Sequence, residues 1–350
     1  MSRIVLFTGA GFTHNFGTPL ASEMWHMIYN SRALKSHKKI KEIMRKEGYA
    51  FNYEQLYFEI CQNDNRKVDV SEAIKDGGGD SYKMAVESAY ERIDKLLSLS
   101  HSTYDVDKDV MKGFILEILG NEKYFFTINQ DLFIERKLRG GFIYPGIDNT
   151  ARAFSINNSE LNDDNLIFVN AETGEYDWKS SNHYYIKLHG SWNWVDSVSK
   201  DRIMVIGGEK SKEYKKYPLI KDLYFNKFRE LLNEGGTKLL IIGYGFMDHY
   251  INNILIKAIS EHNLEILLIS PEHPKILYDR LIEYHATGYK KALKIKDVHG
   301  HMPEDASNVM YLYENITYWF PNQLKTLFPL YNSSDMEFYT NPIKEALGIR

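Results

Sequence analysis

The sequence predicts an α/β protein built on a doubly wound parallel sheet, and two observations carry that expectation. First, five segments share one pattern, a compact apolar run with an abrupt polar or glycine-bearing end: "RIVLFTGAG" (3–11), "KYFFTINQD" (123–131), "YYIKLHGS" (184–191), "KLLIIGYGF" (238–246) and "LEILLISPE" (264–272). Apolar runs of this length without alternation fit strands buried on both faces of a parallel sheet. Second, helical periodicity lies between several of them, as in "DVMKGFILEILG" (109–120), "DLYFNKFRELLNEGG" (222–236) and "HYINNILIKAISEH" (249–262). Alternation of this kind implies right-handed crossovers and a Rossmann-like architecture, whose ligands gather outside the carboxyl ends of the strands.

The first run opens the chain. Its apolar residues superficially resemble a secretion signal, but glycines and then His14 and Asn15 interrupt it too soon, so it reads as a first strand. More than one crossover's worth of chain then follows. Residues 20–120 read as a largely helical insertion, broken at "KDGGGDSYK" (75–83), which is expected to be a loop. A second insertion covers about 140–182. The expected boundaries are a domain over 1–300 and a tail over 301–350, rich in Tyr, Phe and Pro, that caps the domain or makes oligomer contacts.

Composition excludes several classes. A hydrophobic fraction of 43% and a charged fraction of 26% belong to an ordinary globular chain. No apolar run reaches the roughly 18–20 residues of a membrane span. The net charge of −4 argues against a broad nucleic-acid surface. Cys61 is the single cysteine, which rules out internal disulfides and cysteine-rich zinc sites and makes a reducing cytoplasm the natural compartment. The histidines show no metal-ligand spacing, so no metal is expected.

At the strand ends the residues leave alternatives open. Gly9 and Gly11 in "FTGAGFT" form either a tight structural turn or a phosphate site at the following helix N-terminus. The third glycine of a dinucleotide fingerprint is His14 here. Asn129 and Asp131 either cap the next helix or face a ligand. Asp248 suits a helix cap, and Ser270 and Glu272 suit a ribose or an adenine edge. His189 is either a core histidine or a base at a strand's carboxyl end. Trp192 and Trp194 are expected to share one side of an extended segment as packing or interface. The basic run 31–48 and "KSKEYKKYP" (210–218) read as solvated surface.

Taken together, GAG-F-T, T-x-N-x-D, K-L-H-G-S and G-Y-G-F-x-D, in this order on expected strands, resemble the SIR2-like (sirtuin-related) family in its zinc-less bacterial branch. The resemblance implies NAD+ across the strand ends, with Gly9, Ala10, Gly11 and Thr13 near the pyrophosphate. It implies Asn129 and Asp131 as catalytic residues near the nicotinamide ribose, Thr127 as cofactor-binding, His189 as the catalytic histidine, and Gly243, Tyr244 and Glu272 on the adenosine side. Departures are equally informative. Protein-deacylating sirtuins carry a four-cysteine zinc module that one cysteine cannot build. The family's usual Gln is Ile128, and "FGTPLASEM" replaces a "GIPDFR"-like stretch.

What remains implies an NAD+ glycohydrolase that releases ADP-ribose and nicotinamide, as an effector of anti-phage defence. The alternatives are an NAD or ADP-ribose sensor without turnover, a protein deacylase or ADP-ribosyltransferase, and a scaffold with a vestigial site. The resemblance also implies a homo-oligomer and a separately encoded partner, such as a HerA-like hexameric ATPase, and no direct binding to nucleic acid or membrane.

Overall fold

A computed structural model of the chain describes residues 3–46, 49–61, 67–98, 107–120, 124–138, 183–195, 202–207, 210, 214–217, 219–273, 276, 311–312, 314–329 and 336–349. The second insertion, 140–182, lies outside the described residues.

The strands are β1 (Ile4–Thr8), β2 (Tyr124–Thr127), β3 (Tyr184–Lys187), β4 (Gly190–Val195), β5 (Arg202–Met204), β6 (Lys238–Ile242), β7 (Glu265–Ile269) and β8 (Ile316–Phe320). Among the described residues six of them form one parallel sheet in the order β3-β2-β1-β6-β7-β8, and β4 and β5 form a separate antiparallel pair. This is the strand order of dinucleotide-binding doubly wound folds, with the switch point between β1 and β6.

The unbroken apolar runs follow from that position. Successive side chains of a strand point to opposite faces, and here both faces are covered. Leu6, Phe125, Tyr185, Leu240 and Leu267 enter one apolar layer, whereas Phe7, Phe126, Ile186, Ile241 and Leu268 enter the other. Each such fully buried side chain contributes about 1.5–3 kcal/mol relative to exposure.

The first layer is the helical insertion: α2 (Ala21–Tyr29), α3 (Lys38–Met44), α4 (Tyr53–Cys61), α5 (Val68–Ala73), α6 (Gly78–Ser98) and α7 (Lys108–Leu119), which follow the short α1 (Ala10–His14). The second layer is α9 (Phe225–Asn233) and α10 (His249–His262), which come after the short α8 (Phe133–Lys137). Both α7 and α10 begin at an aspartate whose carboxylate accepts two backbone N–H groups, Asp107 and Asp248 respectively.

Four expectations need correction. The "KDGGGDSYK" stretch is not a loop throughout: a short 3₁₀ turn ends at Gly77, where φ is +80°, and α6 starts at once at Gly78. A side chain at Gly78 would fall 2.1 Å from the Ala73 carbonyl oxygen, so the glycines serve a tight helix-to-helix joint. Residues 301–350 are not simply a tail, because β8 is hydrogen-bonded to β7 as the sheet's sixth strand. Behind it, α11 (Leu324–Leu327) and α12 (Met336–Leu347) send Leu324, Leu327, Ile343 and Leu347 into the first layer. Trp192 and Trp194 are both buried but lie in different layers, since the register shifts between Gly190 and Val195. Finally, 210–218 is not all solvated surface, because Tyr214 is buried and Lys210 is 18% exposed.

Candidate active site

The loops leaving β1 and β6 meet at the switch point. Gly9 N–H donates to the Ile242 carbonyl at 3.1 Å, and Gly11 N–H donates to the Gly243 carbonyl at 2.9 Å. A Cβ on Gly9 would fall 2.7 Å from Gly243 O, and one on Gly11 would fall 2.9 Å from Gly243 Cα. These glycines therefore have a packing reason to be glycine. Two of the N–H groups that a phosphate site would offer are committed to backbone carbonyls, and α1 is only five residues long.

Gly243 is the least replaceable of the three. Its φ is +66°, and a Cβ there would sit 2.2 Å from Phe12 N and 2.4 Å from Gly11 C. Gly243→Ala is expected to lower stability by at least about 3 kcal/mol, from left-handed strain and overpacking against backbone together. Gly235, with nothing within 4 Å of a built Cβ, is the control, and Gly235→Ala is expected to cost less than about 0.5 kcal/mol. Urea midpoints measure both, and equal midpoints would refute the packing role.

At the end of β2 a hydrogen-bonded network joins five of the sequence-predicted residues. Thr127 Oγ1 accepts from Thr8 Oγ1 at 2.9 Å and from Asn129 N–H at 3.0 Å. Asn129 Nδ2 donates to the Gly9 carbonyl at 3.0 Å and to Thr13 Oγ1 at 3.2 Å. Thr13 Oγ1 in turn donates to Asp131 Oδ2 at 2.9 Å, while Asp131 Oδ1 accepts from Phe133 N–H at 2.9 Å. Asp131 thus accepts from the first N–H of α8 and from Thr13 at once. Burial raises its carboxyl above the ordinary aspartate range, against the opposing pull of Lys187, Phe133 N–H and Thr13.

His189 follows β3 and is 4% exposed. Its Nε2 lies 2.9 Å from Asp248 Oδ2, although neither atom has a hydrogen-bond partner of standard geometry. Burial, and then the Lys210 charge, push the imidazole below the usual histidine range, and Asp248 only partly offsets them. Burial disfavours the Asp248 carboxylate, but Lys210 and His189 outweigh it and hold this carboxyl well below the usual range. The outcome is a neutral imidazole beside an ionised carboxylate.

The remaining predicted residues sit differently. Tyr244 is buried in the second layer, its ring 5.0 Å from that of Phe7 and its hydroxyl donating to Asn252 Oδ1 at 2.8 Å. Its side chain faces the core. Glu272 lies half-buried beyond β7, where its N–H donates to Ser270 Oγ at 3.2 Å.

Sequence reasoning missed several residues of this site. Lys187 is fully buried on β3, with Nζ 2.7 Å from Glu135 Oε1 and 2.8 Å from Ser191 Oγ, and it also donates to the Asp131 carbonyl. Its signal was the K of K-L-H-G-S. Gln130 Nε2 donates to the carbonyls of His189 at 3.2 Å and Val205 at 2.9 Å, and its Oε1 accepts from Tyr90 of α6. It thereby ties the helical insertion to the histidine's backbone. Lys210 and Glu54 complete the charge cluster around Asp248 and left no local signal.

Among the described residues no group of three or more His, Cys, Asp or Glu side chains could hold a metal ion, and no helix is long and apolar enough to cross a membrane. No curated protein matches the chain. Residues 123–295 match the family described as SIR2-like domain, a span that starts at the run into β2 and contains T-x-N-x-D, K-L-H-G-S and G-Y-G-F-x-D. With these motifs placed at the carboxyl ends of β2, β3 and β6 of a Rossmann-like sheet, the chain carries a SIR2-like domain over residues 123–295.

Proposed function

We propose that the chain binds NAD+ and cleaves its nicotinamide–ribose bond, releasing nicotinamide and ADP-ribose. The observation that carries this reading is His189, a buried imidazole shifted toward its neutral form at the carboxyl end of β3, which pairs with the β2 strand that leads into the Asn129–Thr13–Asp131 network. Departure of nicotinamide leaves positive charge on the ribose, an oxocarbenium-like centre that a nearby carboxylate stabilises. Asp131 supplies that carboxylate and Asn129 holds the loop that presents it. His189 accepts a proton from the attacking water or a ribose hydroxyl, for which a neutral imidazole is the competent form. Without the cysteines of a zinc module, water replaces an acyl-lysine as acceptor.

Incubation with NAD+ and quantitation of products tests this, with nicotinamide and ADP-ribose expected in equal amounts. Because burial and Lys210 lower His189, the base stays available as pH falls past the ~6.5 of a free histidine. The acid limb of the kcat/KM profile is therefore expected below that pH, and a limb above it would contradict His189 as the base.

A sensor without turnover is the second reading. It is favoured by the commitment of both Asn129 amide contacts to Gly9 and Thr13 and by the low exposure of His189. Tight NAD+ binding with no nicotinamide release would support it. By family resemblance we further propose a cytoplasmic effector of anti-phage defence, acting as a homo-oligomer with a separately encoded HerA-like ATPase. Light scattering and NAD+ turnover with and without that partner test this role.

A further inference from the structure

We propose that Lys210 is a positioning residue for His189: it shares Oδ2 of Asp248 with the imidazole, and Glu54 of the helical insertion sets how firmly it does so. Asp248 is anchored by one oxygen only. Oδ1 accepts from Tyr250 N–H at 3.0 Å and Ile251 N–H at 3.1 Å, which fixes the carboxylate at the start of α10. The other oxygen has two claimants, His189 Nε2 at 2.9 Å and Lys210 Nζ at 3.0 Å. An ammonium that is already charged satisfies the carboxylate, so Asp248 can orient the ring without drawing a proton onto it.

Glu54 Oε2 is a second carboxylate oxygen near Lys210, 3.7 Å from Nζ. Its backbone passes close to Gly207, where a Cβ would fall 2.0 Å from the Glu54 carbonyl oxygen and φ is +69°. Burial weakens the Lys210 ammonium, but Asp248 and Glu54 outweigh it and keep the group charged.

The other titratable groups facing the cluster are Tyr214, whose ring centroid is 6.1 Å from that of His189, and Tyr244, whose hydroxyl oxygen lies 3.2 Å from the Asp248 carbonyl oxygen. Burial holds both phenols well above their ordinary range, so they remain neutral. The charge balance at His189 therefore rests on Asp248, Lys210 and Glu54. The helical insertion gains a role in the site through one carboxylate.

The activity part of the test rests on the NAD+-cleaving reading, whereas the titration part does not. With histidine ring carbons labelled, the His189 signal is identified by its loss in His189→Ala and followed against pH by NMR. Lys210→Met is expected to move the His189 titration up by about one pH unit or more, the scale of one nearby charge. Glu54→Gln is expected to move it down, since the ammonium then belongs wholly to Asp248, and Lys210→Arg is expected to leave it in place. Opposite shifts are not what loosened packing produces.

Unchanged titrations, or shifts of the same sign, overturn the proposal. Should Lys210→Met fail to fold, Glu54→Gln decides alone, and no downward shift overturns it. Nicotinamide release should follow the same titrations at its acid limb. Opposite shifts with no release at any pH, with or without the proposed partner, would uphold the role of Lys210 and refute NAD+ cleavage.

Discussion

His189→Ala is expected to reduce NAD+ cleavage by at least about 10²-fold while the fold persists, the loss typical of removing a positioned base. The substitution leaves Asp248 with Lys210 at 3.0 Å and the two α10 N–H groups, so no buried charge is stranded. The backbone bond from Val205 N–H to the His189 carbonyl is also retained. Asn129→Ala offers a contrast. Its amide tethers Gly9 and Thr13, so that variant is expected to lose activity and stability together. Product assays and urea midpoints on both variants separate the two behaviours. Near-normal turnover in His189→Ala would remove the base from the proposed reaction.

The largest effect on stability is expected from Lys187→Met. Lys187 is 1% exposed, and its ammonium is shared among Glu135, Ser191 and the Asp131 carbonyl. Removing it leaves Glu135 as a buried charge without its counter-ion, a change that costs about 3–5 kcal/mol. The double variant Lys187→Met, Glu135→Leu is expected to recover most of that loss, because no charge is then left behind.

The pH dependence of the single variant has a definite sign. Burial raises Glu135 above the ordinary range and Lys187 partly offsets this, so loss of Lys187 raises it further. The native state then holds a proton that the unfolded chain releases. The variant's deficit should be smallest below the unfolded glutamate's pKa of about 4.3 and grow as pH rises through the higher native value. Denaturation midpoints across acid pH check this. A deficit independent of pH would point to lost packing instead.

The central strands were legible because burial on both faces leaves a run of apolar residues with no polar alternation to confuse it. β8 was not. "ITYWF" is an edge strand with Tyr318 45% exposed, so its pattern blends into the aromatic stretch around it. Gly9 and Gly11 were legible as positions without room for a side chain. A phosphate and a crossing backbone make the same demand, however, and the crossing partner, Gly243, lies far along the chain.

His189 was found from its place at a strand end, but the groups that govern it were not. Asp248 was visible as a helix cap, which it is, while its second oxygen faces an imidazole from another strand. Lys210 sits in a lysine-rich stretch that reads as solvated, and only the fold brings Glu54 and Asp248 to it. Tyr244 belongs to a motif at a strand's end, yet its ring turns inward, a choice that the neighbouring Phe7 and Asn252 make and no local pattern records.

The placement of β1 has a consequence for biosynthesis. This strand is made first, every one of its residues is buried, and its two neighbours are β2 and β6. At about 5–20 residues per second, its second neighbour leaves the ribosome on the order of ten seconds or more after β1 does. Throughout that interval an apolar, sticky segment waits with the edge that β6 will cover left open. A nascent chain stalled before residue 238 should therefore draw chaperones to β1, and release them once β6 emerges.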